Sequence, residues 1–125
     1  MHVLLGKDGS YYELLKELKK NVPEFVSVFD EEDGVYPILG EFGRFIIENI
    51  DNEVIAKKSF RFINNAIGFG RNETEKAIVL QLFHPIYNNN SLIIESFKYL
   101  EGKSLQVFEE FRVKYDGIDK GSAIY

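Results

Sequence analysis

Apolar residues recur along most of this chain at the spacing of a helix face. Tyr11, Leu14, Leu15, Leu18 and Val22 fall at i, i+3, i+4, i+7 and i+11, one stripe of an amphipathic helix. Ser10 and Glu13 in front of that stripe have the form of a capping box, a hydroxyl followed three residues later by a glutamate, so a helix is predicted from Ser10 to Val22. Pro23 suits the first turn of a second, short helix from Pro23 to Phe29, with Phe25, Val26 and Phe29 on one face. Asp30 to Gly34 then forms an acidic loop. From Pro37 to Ile50 a third stripe runs through Ile38, Leu39, Phe42, Phe45 and Ile46, with Pro37 tolerated in a first turn.

Asp51 or Asn52 can cap a fourth helix, in which Ile55, Ser59, Phe62, Ile63, Ala66 and Ile67 keep the helical spacing until the glycines of Gly68-Phe69-Gly70 stop it. This helix is expected to be central. A second capping box, Asn72 to Glu75, opens a helix with Ile78, Val79, Leu82 and Phe83 facing inward, and Pro85 is expected to end or kink it near His84. After the loop Asn88-Asn89-Asn90, Ser91 starts a helix that Gly102 closes, and Ser104 starts a last one bearing Leu105, Phe108, Phe111 and Tyr115. No Asn-Gly or Asp-Gly turn lies between two alternating β-branched runs, so strands are not predicted. The expected class is all-α, with about seven short helices in a compact antiparallel bundle or a short solenoid-like array, two packings that periodicity does not separate. The predicted core is Leu15, Leu18, Phe42, Phe45, Ile46, Phe62, Ile63, Ile78, Leu82, Leu100 and Phe108.

Length and composition narrow this picture without changing it. The chain has 125 residues, of which Leu, Ile, Val and Phe make up 44, so a single foldable domain over 1–125 is expected. Its ordered core should span residues 10 to 115, with tails 1–9 and 116–125 mobile. Cysteine is absent, which excludes disulfides, zinc-thiolate sites and cysteine nucleophiles. The start, Met1-His2-Val3-Leu4-Leu5-Gly6, carries no basic stretch and only a short apolar run, so no secretory signal is read there and a cytoplasmic location is expected. Runs such as Ile78-Val79-Leu80 fall far short of the roughly 18 apolar residues that a membrane span needs.

Charge is the first property that points to function. The net charge of −5 conceals an asymmetry, because residues 24 to 53 hold nine acids against the single base Arg44, a local net of −8. Such a segment repels phosphate backbones and attracts basic surfaces, which argues against nucleic acid as the partner of this face. Helical spacing sets Arg44 beside Glu41 and Glu48, as expected of a surface ion pair.

Catalytic chemistry is poorly supported. His2 and His84 are the only imidazoles, they share no helix face that could hold a metal, and no serine lies in a nucleophile elbow. His84 reads as a packing or capping residue. Asp30-Glu31-Glu32-Asp33-Gly34 lacks the alternating acids and terminal glutamate of a calcium loop, and Gly68-Phe69-Gly70 follows a helix and lacks the remainder of a phosphate-binding motif. No catalytic residue, metal site or cofactor is therefore assigned. An enzyme working with carboxylates alone ranks last.

Two runs, Tyr36-Pro-Ile-Leu-Gly-Glu-Phe-Gly-Arg-Phe45 and Lys58-Ser-Phe-Arg-Phe-Ile-Asn64, followed by the acidic capping box at Glu73 to Glu75, resemble small helical bacterial immunity proteins of polymorphic and contact-dependent growth inhibition toxin systems. The resemblance rests on apolar and glycine positions and transfers no functional residue. It implies a cytoplasmic protein that binds and blocks a cognate toxin domain, frequently a nuclease with a basic active-site groove. Combined with the charge layout, it makes Asp30, Glu31, Glu32, Asp33, Glu41 and Glu48 the expected contacts for toxin lysines and arginines, with Tyr36 or Tyr12 as an aromatic anchor. The alternative is a helical scaffold or regulatory protein that binds a peptide or a protein subunit. Neither reading involves nucleic acid or a membrane, and neither specifies an oligomeric state.

Overall fold

The computed structural model describes residues 10–68 and 72–118. Among them there are helices and no strand, as the periodicity predicts. Helix α1 is Ser10–Asn21, α2 is Val35–Glu48 and α3 is Glu53–Gly68. Helix α4 runs over 72–87 without a break, α5 is Asn90–Phe97 and α6 is Gly102–Ile118. The described residues thus hold six helices where about seven were expected. The missing one is the predicted Pro23 to Phe29 helix, which is an irregular coil.

The end of α1 follows from its sequence. Leu14, Leu15, Leu18 and Val22 are buried, and the Asn21 side-chain amide donates to the Glu17 carbonyl at 2.7 Å. Pro23 then removes the N–H needed for another turn. The stretch beyond Pro23 is too short to nucleate a helix alone and carries β-branched Val26 and Val28, which lose rotamer freedom in one. Of the three residues expected on a common face, only Phe25 is buried, and its ring packs against Phe42 at 5.1 Å and Phe45 at 5.3 Å. Val26 is 80% exposed.

A 3₁₀ turn at Glu31–Asp33 leads to Gly34, whose φ of 98° lies in the left-handed region that favours glycine. Helix α2 consequently starts two residues before Pro37. Pro37 still falls within the first turn, where a missing N–H breaks no helical bond. Ile38, Leu39, Phe42 and Ile46 are buried as predicted, whereas Phe45 is only partly buried at the edge of the core. Asn52 does cap α3, its side-chain oxygen accepting from the Ile55 N–H at 3.2 Å.

Helix α3 is central, packing against α1, α2, α4 and α6. Helix α1 also reaches α4. These contacts between elements distant in sequence close the bundle, whereas a solenoid would join only successive pairs. Asn64 of α3 ties in the link between α5 and α6 and the first turn of α6, donating to the Tyr99 carbonyl at 3.0 Å and accepting from the Glu101 N–H and the Ser104 hydroxyl.

Of the end or kink expected at Pro85, the end is absent and the helix is distorted. Helix α4 instead passes from an α segment, Asn72–Ile78, through a π segment, Val79–Phe83, and resumes as α from His84 to Tyr87. Pro85 cannot donate to the Gln81 carbonyl and its ring crowds that oxygen. The π segment relieves the crowding by a wider turn, with the His84 N–H bonding back to the Val79 carbonyl. Gly40 and Gly43 of α2 lie over this stretch. A Cβ at Gly43 would come within 2.7 Å of the Gln81 carbonyl oxygen, and one at Gly40 within 2.9 Å of the Gln81 side-chain oxygen. The two glycines of the 36–45 run therefore let α2 approach α4 closely. Helix α6 continues to Ile118, so residues 116–118 are helical rather than part of a tail; residues 1–9 and 119–125 lie outside the described residues.

Candidate functional site

The coil between α1 and α2 is built differently from the rest of the molecule. Val26 and Val28 are 80% and 82% exposed and Phe29 is 39% exposed, three large apolar side chains left at the surface within four residues. Acids surround them. Asp30, Glu32 and Asp33 are exposed on the C-terminal side, and Glu24 is exposed on the N-terminal side.

This coil is tied down at three points. The Glu41 carboxylate of α2 accepts from the Ser27 hydroxyl at 2.5 Å and from the Val28 N–H at 3.2 and 3.3 Å. Glu24 pairs with Lys58 of α3 at 2.7 Å, and that hydrogen bond holds the Glu24 carboxyl below the usual carboxylate range. The Asp33 carboxylate accepts from the Asp30 N–H at 2.8 Å and closes the 3₁₀ turn. A segment without regular backbone pairing thus has its shape set by side chains.

Between α1 and the coil lies a groove of about 750 Å³. Leu15, Leu18, Phe25 and Ile38 form its floor. Pro23, Val26 and Phe29 make an apolar lip, while Asp30 and Glu32 stand on one side and Lys19 on the other. A concave, mostly apolar surface with a few charges at its margin is the usual form of a recognition site.

The predicted site residues separate into three groups. Asp30 and Glu32 come together beside the groove, Asp33 turns its carboxylate back to the Asp30 N–H, and Glu31 opens the same turn. Tyr36 is close by in the chain, but it is half-buried and packs against the core. Glu41 is occupied in holding the coil, and Glu48 is exposed about 20 Å farther along α2 from its start, at a rise of about 1.5 Å per residue. The acidic segment is therefore not one continuous face. Arg44 is exposed and forms no ion pair with Glu41 or Glu48, because Glu41 turns instead toward Ser27 and Val28. The side chain of Tyr12 lies outside the described residues.

Sequence reasoning missed Val26, Val28 and Phe29. The alternation of Phe25 and Ser27 with outward Val26 and Val28 was the signal for the two valines, obscured by the match of Phe25, Val26 and Phe29 to a helix face; nothing local marked Phe29 as exposed.

His84 sits elsewhere, its ring 5.0 Å from Tyr115 and 5.9 Å from Tyr87. Its Nε2 is buried without a hydrogen-bond partner, and burial lowers its pKa from the ordinary value of 6.5. Its surroundings are those of a packing residue. Among the described residues, no group of three or more His, Asp and Glu side chains is placed to hold a metal ion, and no helix is long and apolar enough to cross a membrane. Comparison with protein-family models, curated proteins and solved structures finds no match to the chain.

Proposed function

We propose that this protein is a non-catalytic binding protein of the immunity type, which neutralises a toxin domain, most simply a nuclease, by covering its basic active-site groove. The observation that carries the reading is the coil 24–33, where exposed Val26, Val28 and Phe29 stand among Glu24, Asp30, Glu32 and Asp33. Exposed apolar residues with a charged margin are the composition of an interface core and its rim. The acids would steer a basic partner and compete for lysines and arginines that otherwise hold phosphates, while the apolar residues would exclude water once the surfaces meet. Anchorage of the coil by Glu41 and Lys58 lowers the ordering cost at the moment of binding.

The test is co-expression with the C-terminal domain of the protein encoded immediately upstream. The reading expects that domain to be toxic alone, growth to be restored by this protein, and protection to weaken when Asp30, Glu31 and Glu32 are replaced by lysine. A harmless neighbour, or protection unaffected by charge reversal, contradicts it. The second reading, a scaffold or regulatory protein that holds a peptide or subunit, is favoured by the groove beside the coil, and a biosynthetic neighbourhood would support it.

A further inference from the structure

The floor of the groove is laid down by a ridge of α1, Leu15 and Leu18, together with Ile38 from the start of α2. In a bundle, such a trough between two helices is normally filled by a third, whose side-chain ridge seats in it. Here the segment in a position to fill it, 23–29, is not helical: Phe25 enters the floor, while Val26 and Phe29 stay at the lip. The volume of about 750 Å³ accommodates more than a single side chain, and the acids Asp30 and Glu32 stand at one side with the single base Lys19 at the other.

We infer that this groove receives an amphipathic basic helix of a partner protein, its apolar residues entering between α1 and the coil and its lysines or arginines meeting Asp30 and Glu32. The inference rests on the proposed binding role and specifies the partner element that the groove takes. Charge decides among possible occupants. A second copy brings the same net charge of −5 and the same acidic coil, so like charge opposes the docking of two such faces. An anionic lipid surface would be repelled for the same reason. An amphipathic helix with its basic residues along the flank that faces Asp30 and Glu32, away from Lys19, satisfies both the apolar floor and the acidic side, the arrangement by which helix-in-groove recognition works.

The probe is a synthetic peptide of leucine and lysine spaced as an amphipathic helix, titrated into the isotopically labelled full chain and followed by amide chemical shifts. A scrambled peptide of the same composition is the control. Shifts centred on Leu18, Lys19, Ile38 and residues 25–32 are expected, with affinity at least about tenfold weaker for the scrambled peptide. The deciding variant is Val26→Asp with Phe29→Asp, at exposed positions that spare the fold. Added acid strengthens attraction that is purely electrostatic, but it destroys an apolar lip. The inference expects the double variant to bind about tenfold or more weakly, with Asp30→Lys and Glu32→Lys weakening binding separately and only at low salt. Equal or tighter binding by the double variant, equal binding of the scrambled peptide, or shifts that avoid the groove would overturn it. Failure of the peptide, when reversal of Asp30, Glu31 and Glu32 still impairs toxin neutralisation, removes the helix from the groove and leaves the binding role standing. Failure of neutralisation with the peptide still seated in the groove does the reverse.

Discussion

The seam between α2 and α4 and the coil that leads into α2 are both held by residues of α2, and they are built for opposite ends. At the seam, Gly43 brings α2 against the Gln81 carbonyl, and Phe42 packs edge-on against Phe62 of α3 at 5.7 Å, so nothing large is left exposed. At the coil, Glu41 fixes the backbone through Ser27 and Val28 while Val26, Val28 and Phe29 face solvent. One region uses its apolar residues to make the fold. The other uses polar contacts to keep apolar residues out of it. Adjacent residues Glu41, Phe42 and Gly43 serve both, which explains how a small domain can present a shaped coil without a second layer beneath it.

The comparison makes the seam the place where substitution costs most. Replacing Phe62, which is 1% exposed, by Ala should destabilise by about 3–5 kcal/mol, measured by denaturant unfolding. A loss below about 1 kcal/mol would mean that Phe62 is not part of the core. Gly43→Ala should cost about 1–3 kcal/mol, because the new methyl meets main chain that cannot rotate away. Gly40→Ala separates sterics from propensity: the Gln81 side chain can move aside, and the gain of about 0.8–1 kcal/mol in helix propensity should leave the change near neutral or stabilising. Equal costs at the two glycines would remove the close approach from the account.

Smaller effects belong to the coil. Glu41→Ala removes the acceptor for Ser27 and Val28 and should cost about 1–2 kcal/mol, while hydrogen exchange at the Val28 amide accelerates well beyond that of α3. Unchanged exchange would mean that Glu41 does not shape the coil. The smallest expected change involves neither region. Burial lowers the His84 pKa below 6.5, so the folded state favours the neutral ring and the unfolded state takes up the proton first. Stability should therefore be full above about pH 6.5 and decline on acidification through the unfolded value toward the lowered folded one, a slope that His84→Gln should flatten.

What could be read in the sequence depended on how local its cause is. Helix α3 was legible in its extent and in most of its buried face, since Asn52 caps it and Ser59, Phe62, Ile63 and Ile67 repeat within the segment, although the buried Ala56 and Phe60 lay off the stripe that was read. The coil was not, because Phe25, Val26 and Phe29 match a helix face, and the contact that holds the segment otherwise comes from Glu41, fourteen residues beyond Ser27. Pro85 was read as an end or a kink near His84; the helix does not end there, and its distortion is the π segment 79–83, whose Gln81 carbonyl lies against Gly43 of another helix. Of the candidate site, the acids at 30–33 were legible as a charge run, but Glu41 was taken for a toxin contact, whereas it holds the coil, and Tyr36 for an aromatic anchor, whereas it packs against the core. Both assignments needed the third dimension.

The central claim is that the coil and its acids meet the partner while the seam holds the fold. Its most direct test is the association rate of the cognate toxin domain with wild type and with the Asp30→Lys, Glu31→Lys, Glu32→Lys variant, at low and high ionic strength. This set spares Asp33, whose carboxylate closes the turn. The rate should fall by roughly tenfold or more at low salt, and the difference should shrink as salt screens the charges, with the unfolding midpoint hardly changed. Equal rates at both salt concentrations would contradict the account and leave the acids as solvated surface.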